Sequence, residues 1–428
     1  MLLCAASLLP PALAAQSLDS ATAGLRDARV ACARDGGRLW GASLCGPVVL
    51  VRPSTRVALA NRRDPDSTFA ARDGAWVGTL PSSVGVANTS VRWGDAYWSM
   101  VMLPLPADRF ERIKLLAHES YHRLQSAQGR AGADPVNAHL DERDGRLWLR
   151  MELRALAAAL RATGPLARQR TEDALTFSAY RRQLYPGSDT LEAALEMQEG
   201  LAEYTGARLA LDVTGAREDR VARQLAELET RPSYVRSFAY ATGPALGLLL
   251  DRYAPGWRGR VREERDMTRL LADALHFTPP PDLAVAAPTR AMLYGFVKVA
   301  AAEDARDADR RARAAAYRAA LVDGPVLVAR QKGLGTVFDP NTLVPLGAEG
   351  TVYPTGTFTA PWGKLQVTEG GALVSPDFTT VRVPAPADTA ARPLRGRGWT
   401  LELAPGWTVR PAVTRPGDWE LAPPEPQQ

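Results

Sequence analysis

The segment His118-Glu119-Ser120-Tyr121-His122 combines residue types and a spacing that suit metal-assisted hydrolysis. Histidines four positions apart lie on one face of an α-helix, so both imidazoles can reach one Zn²⁺ at about 2.0–2.1 Å. A glutamate next to the first histidine then faces the water on that metal, where a general base is needed. The chain contains 4 histidines, so a chance match to this pattern is rare. We therefore expect one zinc ion on His118 and His122, with Glu119 as the general base.

A zinc site of this kind needs a third protein ligand and an open position for water. No histidine follows His122 at the spacing that would supply this ligand, so we expect a carboxylate. The segment from Glu196 to Tyr204 is the best candidate source of this ligand, and within it Glu203 could be the ligand itself or could orient a ligand histidine through a hydrogen bond. Glu152 is a further candidate, although an ion pair with a neighbouring arginine explains it at least as well.

The run Glu199-Gly200-Leu201-Ala202 resembles the Glu-Gly-x-Ala helix of the gluzincin zinc metallopeptidases, which include the aminopeptidase N family. In that family the glutamate before the glycine binds zinc, so the resemblance implies that Glu199 is the third ligand. The small Gly200 and Ala202 would let this helix approach the histidine helix closely. The interval between His122 and Glu199 is much longer than in the aminopeptidase N family, which leaves Glu203 and Glu152 open.

The run Tyr240-Ala241-Thr242-Gly243 is similar to the Tyr-x-x-Gly helix start of the same enzymes. There the tyrosine hydroxyl donates a hydrogen bond to the oxyanion, and the resemblance implies this role for Tyr240. A tyrosine that packs its ring in the core is the alternative. The family's Gly-x-Met-Glu-Asn strand, which recognises a free amino terminus, is absent, so the choice between endopeptidase and exopeptidase stays open.

The zinc motif needs a helix and a preceding sheet to position it. Asp108 can cap a helix that runs from about Arg109 to Gln128, with Glu111 as its capping-box partner. Short apolar runs separated by Gly, Pro, Asn and Asp predict a small sheet upstream. Its last strand, residues 97–103, is predicted to be an edge strand that could pair with an extended substrate.

Beyond the zinc motif, apolar residues recur with a helical period to about residue 317, and one of these predicted helices covers residues 190–214. His139 lies between two helical patterns, so we expect it in a loop. After Pro325 apolar and polar residues alternate between Gly and Pro turns, which predicts a small β module.

These patterns predict an α+β fold, with a zincin-like catalytic core, a small N-terminal sheet, a mostly helical middle and a C-terminal β module. The expected divisions are a signal peptide (1–15), an N-terminal α/β part with an edge strand (16–107), a helical zincin region (108–325) and the β module with a frayed tail (326–428).

Residues 1–15 form an apolar run that ends in the small residues Ala12-Leu13-Ala14. This pattern is typical of a signal peptide cleaved near Ala14, and it predicts an exported protein, periplasmic or secreted. No Lys or Arg precedes the run, so a first buried helix of a cytosolic protein is the alternative. In an exported chain, Cys32 and Cys45 form a plausible disulfide, and two buried thiols are the other interpretation.

The amino-acid composition limits the classes of partner that the protein is expected to bind. The net charge of +5 is modest for 428 residues, and the basic residues are scattered, so we expect no binding to nucleic acid. No segment after the leader reaches the ~20 apolar residues of a transmembrane helix. We expect a peptide or protein substrate, and the sequence makes no prediction about the oligomeric state.

Together the motifs predict zinc-dependent peptide-bond hydrolysis by an exported gluzincin-type metallopeptidase, with Glu119 as general base on the zinc-bound water. An exported binding or assembly protein with an inactive or purely structural zincin core is the alternative. Hydrolysis of another amide or an ester is a weaker third possibility.

Overall fold

The computed structural model describes residues 11–130, 132–339 and 342–424, with side chains from Ala21 onward. The first ten residues of the predicted signal peptide lie outside the described residues. The first helix, α1 (Pro11–Asp35), contains the predicted cleavage site near Ala14. The chain divides into two compact units, Met1–Ala301 and Ala302–Gln428. With an N-terminal sheet, a helical middle and C-terminal sheets, the structure confirms the α+β class.

The first unit opens with a six-stranded sheet of order β3-β4-β2-β1-β6-β5. The strands are β1 (Val48–Val51), β2 (Val57–Ala60), β3 (Ala70–Arg72), β4 (Ala75–Thr79), β5 (Thr89–Trp93) and β6 (Ala96–Met102). β6 pairs in parallel with β1, where Leu50 lies opposite Val101. The other pairs are antiparallel.

The prediction of an edge strand at residues 97–103 is wrong. β6 lies between β1 and β5, because a tight turn at Gly94 folds β5 back along its outer side. The consecutive buried residues Trp98 to Val101 are typical of a strand that is covered on both faces. The prolines after Met102 mark the end of the strand, and β5 forms the edge of the sheet on this side.

The rest of the first unit is mainly helical. Its helices are α2 (Arg109–Ala127), α3 (Arg143–Arg161), α4 (Gly164–Leu184), α5 (Ser188–Leu195), α6 (Leu201–Thr214), α7 (Asp219–Leu228), α8 (Ala239–Tyr253), α9 (Met267–Ala274) and α10 (Leu283–Ala291). The helix α11 (Phe296–Arg318) begins in this unit. A large apolar core forms where α2, α3, α6 and α8 pack together, and α2 also packs against β6 and α1.

The second unit contains two antiparallel-rich sheets whose orders are β17-β18-β7-β14-β13-β10-β9 and β15-β16-β12-β11-β8. Their strands are β7 (Val326–Arg330), β8 (Gly335–Val337), β9 (Val344–Pro345), β10 (Thr351–Tyr353), β11 (Gly356–Ala360), β12 (Gly363–Val367), β13 (Ala372–Val374), β14 (Thr380–Pro384), β15 (Leu394–Gly396), β16 (Trp399–Leu403), β17 (Thr408–Pro411) and β18 (Trp419–Ala422). Phe358 and Trp362 are fully buried in its core.

Cys32 and Cys45 form a disulfide, so the interpretation as two thiols is wrong. The bond ties the end of α1 to the segment before β1. The side chain of Arg123 donates to the carbonyl oxygen of Leu44 at 3.2 Å and holds the same segment against α2. Among the described residues, no helix is both long and apolar enough to cross a membrane.

Candidate metal centre

The helix α2 carries the predicted zinc motif and begins as expected. Asp108 accepts a hydrogen bond from the Glu111 backbone N–H at 3.0 Å, which caps the first turn. The Glu111 carboxylate does not complete a capping box with Asp108. It accepts instead from Gln224 at 3.0 Å and lies 3.3 Å from the Lys114 ammonium.

The segment that carries Glu199 departs from the predicted continuous helix at 190–214. Between α5 and α6 the residues Glu196–Gly200 form one π-helical turn. A π turn accommodates an extra residue, so it changes the direction in which the side chains of the following turn point. Such turns occur frequently at functional sites, and this one contains the predicted ligand.

The three predicted ligands converge. The Nε2 atoms of His118 and His122 are 3.0 Å apart. One Glu199 oxygen, Oε2, lies 3.5 Å from His118 Nε2 and 3.3 Å from His122 Nε2. Ligand atoms placed tetrahedrally around Zn²⁺ at 2.0–2.1 Å are about 3.3 Å from one another. Both the spacing and the donor set, two imidazoles and a carboxylate, therefore fit zinc.

Glu203 orients the first histidine and is not part of the ligand group. Its Oε2 accepts a hydrogen bond from His118 Nδ1 at 2.7 Å, and its Oε1 lies 2.7 Å from the Lys114 ammonium. Burial by itself would raise the pKa of Glu203, but Lys114 and His118 hold it at about 2. The bond to Nδ1 leaves Nε2 of His118 directed toward His122 and Glu199, the arrangement that outer partners commonly impose on zinc ligands.

The second histidine is oriented in the same way by a residue that sequence reasoning missed. His122 Nδ1 lies 2.9 Å from the Gln125 side-chain oxygen, and the Gln125 amide donates to the Met197 carbonyl oxygen at 3.3 Å. Lys114 was missed as well. It lies four residues before His118 on the same helix, so the spacing could have indicated it.

Glu152, the third candidate ligand, lies in a different cluster. It is buried, and its Oε2 accepts from Arg181 at 2.5 Å. Burial raises the pKa of Glu152, and the positive charge of Arg181 opposes that rise. The expectation of a neighbouring arginine is therefore confirmed, and the structure does not group Glu152 with the two histidines.

His139 was expected in a loop. It lies in the short helical turn Ala138–Asp141, where it is buried. Its Nε2 is 2.8 Å from Glu192, which also accepts from Arg181. Glu192 belongs to the Glu152 cluster, so His139 has a structural role there.

Tyr240 lies in the first turn of α8, beside the ligand group. Its hydroxyl donates to Glu199 Oε2 at 2.7 Å, and its ring stacks against the His118 ring with centroids 5.8 Å apart. The side chain is 40% exposed, so the alternative of a tyrosine packed in the core is wrong. Burial of the hydroxyl and the charge of Glu199 raise the pKa of Tyr240, which keeps the phenol protonated as a hydrogen-bond donor.

Glu119 is buried next to the two histidines. Its Oε2 has no hydrogen-bond partner among the described residues. Burial raises the pKa of Glu119, while the nearby histidines oppose that rise. A buried carboxylate oxygen without a partner is costly for a folded protein and calls for a chemical explanation.

Close contacts between helices bring the candidate ligands together. The contact between α6 and α2 is made at a different glycine from the one expected. A Cβ added at Gly206 would overlap the Lys114 carbonyl oxygen, so this glycine lets α6 approach α2. Gly200, which was expected to make that approach, instead faces α8, where a Cβ on Gly243 would overlap the Gly200 backbone. The first contact brings Glu203 to His118, and the second brings Tyr240 to Glu199.

The comparisons with known proteins found no matching protein family, no similar curated protein and no similar solved structure.

Proposed function

We propose that this chain is a zinc-dependent peptidase of the gluzincin type and that it acts outside the cytoplasm. One observation carries the proposal: three ligand atoms with the spacing and chemistry of a zinc site lie beside a buried glutamate oxygen that has no partner. A structural zinc site is normally closed by four protein ligands, whereas a catalytic site has three and an open position. The group at His118, His122 and Glu199 has three.

Zinc held by these residues would supply Lewis acidity to the scissile carbonyl and lower the pKa of a water molecule. Glu119 accepts the proton of the attacking water, since its free oxygen is buried and makes no competing hydrogen bond. The same carboxyl group then returns the proton to the leaving amine. Glu203 and Gln125 hold the two histidines in the orientation that this chemistry requires.

Tyr240 supplies a hydrogen bond to the oxyanion. Tyr240→Phe should lower kcat by about 10²–10³, which is typical for loss of one oxyanion donor. The variant should still bind one zinc, with a weaker affinity because the hydroxyl also donates to Glu199 Oε2. Steady-state kinetics and metal analysis measure both. Tyr253→Phe, at the other end of α8, is the matched control and should behave as the wild type. Wild-type kcat in the Tyr240 variant would remove this residue from the mechanism.

The proposal predicts a metal-dependent activity. Purified protein should contain about one zinc per chain and should cleave members of a diverse peptide library, with products identified by mass spectrometry. A chelator should abolish cleavage, and added Zn²⁺ should restore it. A zinc-loaded chain that cleaves no peptide would favour the non-catalytic binding protein, and cleavage that resists the chelator would contradict a zinc mechanism.

A further inference from the structure

A cavity beside the C-terminal half of α2 has no role in the proposed chemistry. Its volume is about 210 Å³, and α2, the π turn, α6 and the short helix Trp257–Arg262 contribute to its wall. The wall is largely apolar: Trp40, Tyr121, Leu124, Met197, Leu201 and Val261. All of these except Trp40 are buried.

Three arginines, Arg130, Arg262 and Arg265, also line this cavity, and their side chains are exposed. None of them forms an ion pair with a carboxylate among the residues that the structure describes, and no Asp or Glu lines the cavity. Two of the acids adjacent to these arginines in sequence are paired elsewhere: Glu264 with Arg269 at 3.3 Å and Asp266 with Arg182 at 2.7 Å. The cavity therefore combines an apolar wall with uncompensated positive charge at its mouth.

The charge and the volume of the cavity together indicate the chemical class of its ligand. Guanidinium groups bind carboxylates through short, charge-assisted hydrogen bonds, and often through two at once. Pockets for drug-sized ligands are about 300–1,000 Å³, so this smaller cavity suits one side chain. We propose that it binds an apolar monocarboxylate, with the apolar group against Leu124 and Leu201 and the carboxylate between Arg130 and Arg265.

The cavity shares residues with the metal centre. Gln125 lines it and accepts the hydrogen bond from His122, while Met197 lines it from the π turn that carries Glu199. A ligand here contacts the residue that orients His122 and a residue of the turn that carries Glu199. If the proposed function holds, the ligand is the carboxyl-terminal residue of a peptide substrate or product. Binding itself does not require the metal.

Calorimetric titration of the metal-free full-length chain tests the proposal, because chelation removes binding of carboxylates to zinc. N-acetylleucine should bind, and its uncharged amide should bind at least about tenfold more weakly because the charge-assisted bonds are lost. Hexanoate, a carboxylic acid without a peptide group, distinguishes a peptide terminus from a free carboxylic acid as the ligand. If only N-acetylleucine binds, the ligand is a peptide terminus, and comparable binding of hexanoate identifies free carboxylic acids.

Substitutions of the exposed arginines test whether the carboxylate binds in this cavity. They should not disrupt the fold, because these side chains are exposed. Arg130→Gln and Arg265→Gln should each weaken N-acetylleucine about tenfold. Arg231→Gln, which changes an exposed arginine outside the cavity, should leave the affinity unchanged. Equal binding of the acid and the amide, unchanged affinity in both cavity variants, or no binding of either carboxylate would overturn the proposal. Because the protein is metal-free, none of these results depends on peptidase activity.

Discussion

Glu119→Gln should abolish peptide hydrolysis and leave zinc bound. General-base catalysis typically contributes about 10²–10⁴ in rate, and an amide cannot accept the proton of the attacking water. The substitution preserves the shape of the side chain, and Glu119 Oε2 makes no hydrogen bond that the variant would lose. The folded structure should therefore tolerate it, since a neutral amide is less costly to bury than a carboxylate.

Three measurements on one preparation decide the result: the rate of peptide cleavage, the zinc content and the midpoint of thermal unfolding. Glu227→Gln is a suitable control because Glu227 is exposed on α7 and is not among the candidate ligands or their hydrogen-bond partners. A glutamine variant with wild-type activity would refute the assignment of Glu119 as base. A variant that loses both activity and zinc would show that Glu119 is needed for metal binding.

The three candidate carboxylates should respond differently to substitution. Glu199→Ala should lose zinc under conditions where the wild type retains it, because two histidines alone remain as ligands. Glu203→Gln should retain zinc and bind it about 10–100-fold more weakly, since it weakens the hydrogen bond that orients His118 and removes the ion pair with Lys114. Competition with a chromophoric chelator measures both affinities.

Glu152→Gln is the matched control, because it also replaces a buried carboxylate. It should leave zinc affinity unchanged and lower the free energy of unfolding by about 1.5–3 kcal/mol, since Arg181 loses one of its two charged partners in the core and keeps Glu192. Chemical denaturation measures that loss. Zinc loss in the Glu152 variant, together with wild-type affinity in the Glu199 variant, would reverse the ligand assignment.

The histidine helix is the element that local sequence describes best. The predicted helix ends at Gln128 and the observed one at Ala127, and Asp108 caps it as expected. Capping and helical periodicity depend on residues within a few positions of one another, so they can be read directly from the sequence. For the same reason, the sequence spacing of His118, Glu119 and His122 is enough to place them on adjoining positions of one helix.

The order of the strands in the N-terminal sheet could not be predicted from local sequence patterns. The apolar run at residues 97–103 predicted a strand correctly, but its neighbours in the sheet are β1 and β5. The parallel pairing with β1 joins residues that are far apart in the sequence. An edge strand and an interior strand can share one apolar pattern, and only the pairing distinguishes them.

The sequence by itself determined a helix with two histidines and a glutamate suited to zinc chemistry, together with a short set of candidate carboxylates. The tertiary structure decided among those carboxylates. Contacts at Gly206 and Gly200 and the π turn at Glu196–Gly200 bring Glu199 to the two histidines and Glu203 to His118. These distances depend on how distant helices pack, and no local pattern in the sequence encodes them.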